Sequence, residues 1–211
     1  MLICASAHAS ISSNGSCDDT NTSCTLSGTA TGSLKLVFAT KFTGAPAITV
    51  PAGWTVIDFP RSTTVAACNV SSSAMDTGTG TWTNAAYIAA VSYVGTSAGT
   101  TGNCNTTGIG KFQNGYLLSS TIIYYGLSLQ VSNGTSLVVG FGSAGTATNV
   151  DAVTPTGMTL VAGGGHIAVY NTAPVSSWAT FSGGLNMSGL NTTETLEILA
   201  SKTGGMVPGV Y

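Results

Sequence analysis

The side chains that could move protons or act as hard ligands in this sequence are Asp18, Asp19, Asp58, Asp76, Asp151, Glu194, Glu197, His8 and His166. Two carboxyls about 5 to 10 Å apart across a cleft would suit hydrolysis of a glycosidic bond. Glu194 and Glu197 are close in sequence, but a spacing of three on an expected strand sends them to opposite faces. Most of the others fall in expected turns or at outward strand positions. A serine nucleophile would need a histidine and an acid beside it, and the chain has no Gly-x-Ser-x-Gly elbow. Gly163-Gly164-Gly165 before His166 reads as a loop. The glycine-rich runs lack the lysine and following helix that cradle phosphate. Asp18-Asp19-Thr20-Asn21 offers oxygens without the ordered spacing of a calcium loop. No catalytic residue, metal site or cofactor is assigned, and the chain is expected not to be an enzyme.

Five cysteines, Cys4, Cys17, Cys24, Cys68 and Cys104, include no C-x-x-C pair, which argues against zinc and against a complete disulfide framework. Cys17 and Cys24 bracket a polar loop that they could close under oxidising conditions; the alternative is a set of small reduced thiols. Trp54, Trp82 and Trp178 could stack sugar rings, but the recurrence of two of them at related places favours anchoring of the core. Seven Asn-x-Ser/Thr triplets are expected in a chain so rich in Ser and Thr, and they are read as carrying no glycans.

Asp, Glu, Lys and Arg make up 6% of the 211 residues, against roughly 25% in ordinary globular proteins. A hydrophobic content of 43% is too high for a disordered chain. With Lys35, Lys41, Arg61, Lys111 and Lys202 as the only cations, there is no basic stripe to hold nucleic acid. No stretch near the N-terminus is long and apolar enough to span a bilayer. A surface of hydroxyls and amides suits neutral partners or burial within a larger assembly.

These residues must be positioned by strands. Ser33-Leu34-Lys35-Leu36-Val37-Phe38-Ala39-Thr40, followed by Pro51-Ala52-Gly53-Trp54, returns as Ser136-Leu137-Val138-Val139-Gly140-Phe141-Gly142-Ser143, followed by Pro155-Thr156-Gly157-Met158. Leu34, Leu36 and Phe38 share one face by the period of two, and Pro-x-Gly launches the next strand from a turn. Further strands are expected at 63–68, 87–94, 117–125, 127–131, 167–172 and 193–200, with Val65 matched to Val169. Asn133-Gly134 reads as a hairpin turn, and 95–115 as a long loop. The predicted fold is all-β, an antiparallel β-sandwich of jelly-roll type built from pseudo-repeats at about 25–94 and 127–200. Residues 1–24 are expected to form an extended arm, and 201–211 an irregular tail.

The strand Ser33 to Ala39 with Pro-Ala-Gly-Trp-Thr at 51–55, the Ala/Val strand after Thr81-Trp82-Thr83, the block Ser136 to Val161, Val175-Ser176-Ser177-Trp178 and the closing strand together resemble phage-encoded virion β-sandwich structural proteins. The resemblance implies a structural virion component and carries over no catalytic residues. A capsid decoration or cement protein is expected first, assembled in the host cytoplasm. Its partners would be the major capsid protein and copies of itself, a trimer being one option with the oligomeric state left open, and neither nucleic acid nor membrane. Cys4, His8, Ile11, Cys17 and Cys24 would belong to its assembly arm. The alternative is a tail-fibre or receptor-binding module meeting host glycan through Trp54, Trp82, Trp178, Asn105 and Phe112. A secreted hydrolase ranks last.

Overall fold

The computed structural model describes residues 9–20, 22–98, 104–118, 121–131, 133–143, 154–163, 165–184 and 190–202. Its elements are β1 (Ser12–Thr20), β2 (Leu34–Thr40), β3 (Thr55–Arg61), β4 (Thr64–Val70), β5 (Tyr87–Val94), α1 (Cys104–Thr107), β6 (Ile109–Leu118), β7 (Thr121–Tyr124), β8 (Leu137–Ser143), β9 (Met158–Gly163), β10 (Ile167–Thr172), β11 (Phe181–Gly184) and β12 (Leu190–Ile198). The fold is all-β, with two five-stranded antiparallel sheets ordered β1-β5-β2-β4-β3 and β6-β12-β8-β10-β9. Each sheet is one contiguous half of the chain, and the two orders are the same when β1 to β5 are matched to β6, β8, β9, β10 and β12.

The sheets share one apolar core. Leu34, Leu36, Phe38, Ala66, Cys68, Ala89 and Val91 from the first meet Leu137, Val139, Phe141, Ile167, Val169, Leu196 and Ile198 from the second. At the centre, Phe38 and its counterpart Phe141 stack with ring centroids 4.6 Å apart, so the repeated strands β2 and β8 lie against each other. Every residue of both strands is buried, because the outer sheet faces are covered as well. Trp82, Leu26 and Ala85 cover Val37, Ala39 and Val65 in the first half; Tyr124, Leu127, Met158 and Trp178 cover Val138, Ala168 and Tyr170 in the second. Tyr124 also pairs through β7 with β11. Its ring lies where a Cβ on Gly140 would come within 2.8 Å, which explains a glycine in the middle of a buried strand.

Several sequence expectations change. Residues 12–20, expected within an extended arm, are a strand: β1 pairs with β5 as the edge of the first sheet. No apolar alternation marks this strand, so its position comes from its surroundings. Gly15 passes so close to Gly28 that neither has room for a side chain, and the Ser92 hydroxyl donates to the Gly28 carbonyl at 2.8 Å. Ile11 is buried in the shared core. Cys4 and His8, like residues 203–211, lie outside the described residues. Most of the expected loop at 95–115 is α1 and β6, and 127–131 forms no strand, only the single bridge Leu127 to Trp178. Gly134 does turn with a φ of 83°, but outside any hairpin of named strands.

The match of Val65 to Val169 is one residue off. Phe38 pairs with Ala66, and Phe141 with Val169, so Ala66 is the counterpart. A one-residue slip changes the face, and Val65 accordingly sits on the outer side while Val169 is in the shared core.

Four of the cysteines are joined. Cys17–Cys24 ties β1 to the following loop, and Cys68–Cys104 fastens α1, on the crossover between the halves, to β4. The expectation of an incomplete disulfide set missed the second bond because Cys68 and Cys104 are 36 residues apart and meet only through the crossover.

Candidate functional site

The shared core is apolar except at one side, where β3 of the first sheet meets β6 and β12 of the second. In β3, Val56 pairs with Ala67 and Asp58 with Ala66, so Ile57 is an extra, bulged residue. Bulges re-aim the side chains that follow them, and this one turns Asp58 to the inner face. On the opposite sheet Glu194 pairs with Phe141 on one side and with Asn114 on the other. The Asn114 amide nitrogen donates to Asp58 Oδ2 across the gap between the sheets.

Glu194 is fully buried, and neither of its carboxyl oxygens has a hydrogen-bond partner. Burial, and secondarily the negative charge of Asp58, pushes its carboxyl well above the ordinary glutamate range. Leaving a buried polar group unsatisfied costs about 1–3 kcal/mol, so the fold bears Glu194 at a loss. The strands that carry Asp58 and Asn114 also carry exposed aromatic residues. Arg61 lies over the Tyr116 ring at 4.4 Å, and Phe59, Phe112 and Tyr116 are about half exposed.

The repeat shows how unusual the pair is. β9 carries the same bulge, with Leu160 paired to Tyr170, Ala162 paired to Val169 and Val161 extra, so Ala162 corresponds to Asp58. Ala89 pairs with Phe38 as Glu194 pairs with Phe141. Where the other side of the core has two buried alanines, this side has two acids. An alignment of the halves in the observed register would have revealed both substitutions. Without the bulge and the corrected register, Asp58 reads as an acid near the end of a turn.

Three other charged groups, Glu197, Lys35 and Asp76, are explained by local structure. Glu197 faces away from Glu194 and accepts from the Lys111, Gln130 and Val131 backbone amides and from the Ser136 hydroxyl, fastening loop 127–136 to β12. Lys35 is buried, pairs with Asp76 at 2.7 Å and lies 5.6 Å from the Trp54 ring centroid. Burial by itself would raise the Asp76 carboxyl, but the hydrogen bond from Lys35 and those from Ser72 hold it below its usual value.

No family model, curated protein or solved structure matches this chain. Assignment of function therefore rests on the residues themselves.

The expected contact residues are scattered. Trp82 is wholly buried, its indole nitrogen donating to the Thr79 carbonyl at 3.0 Å. Trp178 is buried in the second outer cluster, and Trp54 is half-buried edge-on to Trp82. They form no common platform. Asn105 is half-buried in α1, and only Phe112 of this set stands exposed beside the acidic pair. His166 stacks on Tyr87 with centroids 3.7 Å apart, away from both acids of β12. Among the described residues no three His, Cys, Asp or Glu side chains form a cluster that could hold a metal.

Proposed function

We propose that this protein is a non-catalytic structural component of a virion, a decoration or cement protein that binds the major capsid protein and copies of itself. The observation that carries this reading is where the few charges lie. Of twelve charged side chains, at least Lys35, Lys41, Glu194 and Glu197 are buried. The outside is thus even more neutral than the composition, a skin of hydroxyls and amides with little electrostatic protection against association. Such a surface suits a protein held among neighbours by many small contacts, which symmetric copies multiply. A trimer fits that use.

The architecture we propose is a β-sandwich made by repeating one five-stranded sheet. Jelly-roll connectivity would exchange strands between the sheets, whereas residues 12–94 and 109–198 each supply a sheet of their own. The two disulfides suit a particle that spends its life outside a reducing cytoplasm.

The second reading is a tail-fibre or receptor-binding module. It retains Phe112, to which the structure adds Phe59 and Tyr116 as exposed rings that could stack on a sugar. It loses much of the long presenting loop, in which 104–107 are α1 and 109–115 belong to β6, and two of its three tryptophans, which are buried. Recombinant protein offered to shells lacking it and to host cells separates the two: binding to shells supports the decoration role, and binding to cells alone overturns it.

A further inference from the structure

The acidic pair between the sheets calls for a partner that none of the described residues provides for Glu194. Native proteins seldom leave a buried carboxyl unsatisfied, and where they do an ion or water commonly completes the site. Among the described residues neither Asp58 nor Glu194 has a salt bridge. Arg61, the nearest cation in sequence, is directed to the Tyr116 ring. The matching positions of the other half, Ala162 and Ala89, show that the packing needs no polar group here.

We propose that Asp58, Glu194 and the side-chain oxygen of Asn114 form a site for one divalent cation, calcium by preference, that clamps β3 of the first sheet to β6 and β12 of the second. All three donors are hard oxygens, with no nitrogen or sulfur ligand that would favour zinc or copper. Two carboxylates need two positive charges for neutrality, which sets a divalent ion above sodium or potassium. Calcium tolerates irregular sets of six to eight oxygens and completes them with water, whereas magnesium demands a near-ideal octahedron. Asp58 is half-buried, so the site has a route to solvent on the β3 side, while Glu194 closes it from within. The Asn114 amide turns its oxygen inward by a half-turn of the side chain, releasing its present bond to Asp58. The inference does not depend on the virion role.

The test is thermal unfolding of the full chain, stripped with EDTA and then compared with and without calcium chloride at constant ionic strength. At tenfold excess over its dissociation constant, calcium should raise the midpoint by about 3–6 °C. Asp58→Asn and Glu194→Gln, both folded by circular dichroism, should each lose that shift. Calorimetric titration of calcium chloride into the unmutated protein should show one site, a readout independent of how the variants fold. No shift and no heat in the unmutated protein, or an undiminished shift in Glu194→Gln, would overturn the proposal.

Discussion

Glu194 and Asp76 are both carboxyls in a nearly uncharged chain, and their neighbours give them opposite behaviour. Asp76 is stabilised as an anion by Lys35 and Ser72. Its pKa is lowered on folding, so its contribution is present above the unfolded value and disappears as pH falls through the folded one. Asp76→Asn should therefore flatten the acid side of the stability profile, measured by urea unfolding from pH 6 down to about pH 3. Glu194, in contrast, is held without a partner. In EDTA at neutral pH, Glu194→Gln should raise the unfolding free energy by about 1–3 kcal/mol, because burial penalises the charged form of the carboxyl and a neutral amide carries no such penalty. A loss of stability would mean that Glu194 is satisfied by the protein. Burial raises the phenols of Tyr93, Tyr124 and Tyr170, the last to about 12. Groups raised on folding contribute fully below their unfolded value near 10 and lose that contribution as pH climbs. Phenolate absorbance of these tyrosines should consequently appear together with alkaline unfolding, and appearance before unfolding would show that they are reached by solvent.

The strands most easily read in the sequence are those whose side chains are large and apolar. β5 lies at 87–94 as expected, and β2 and β8 were visible through their repeated Leu-x-x-x-Phe pattern. β1 and β6 were missed because both are edge strands specified by the neighbour that pairs with them: β1 is polar throughout apart from Gly15 and Cys17, and in β6 Gly110-Lys111 and Gln113-Asn114-Gly115 interrupt the apolar pattern. Candidate-site residues were hidden one level further down, since the bulge at Ile57 decides which way Asp58 points. Two tests belong here. Phe38→Ala or Phe141→Ala removes half of the central stack and should cost about 3–5 kcal/mol in denaturant unfolding; a cost below 1 kcal/mol would contradict the shared core. Breaking the Cys68–Cys104 bond with a double Cys→Ser substitution frees a loop of 36 residues' separation and should cost about 3–4 kcal/mol. Equal stability of the two forms would mean that the crossover is held by packing alone.

At the scale of the whole molecule, the repeat was legible because Ser33 to Pro51 and Ser136 to Pro155 keep order and spacing, while the assignment of each repeat to its own sheet was not. Turn residues and alternation predict strands; which strands become neighbours depends on long connections such as 41–54, whose sequence says little about where they cross. The two sheets bury the shared hydrophobic face, and at least four of the twelve charged side chains are buried in the fold, so the exterior is poorer in charge than the composition. The most direct measurement of this account is the number of copies of the chain in purified virus particles, relative to the major capsid protein. A decoration role predicts hundreds per particle, in simple proportion to the shell lattice. A handful to a few dozen confined to the tail, or none at all, would contradict it.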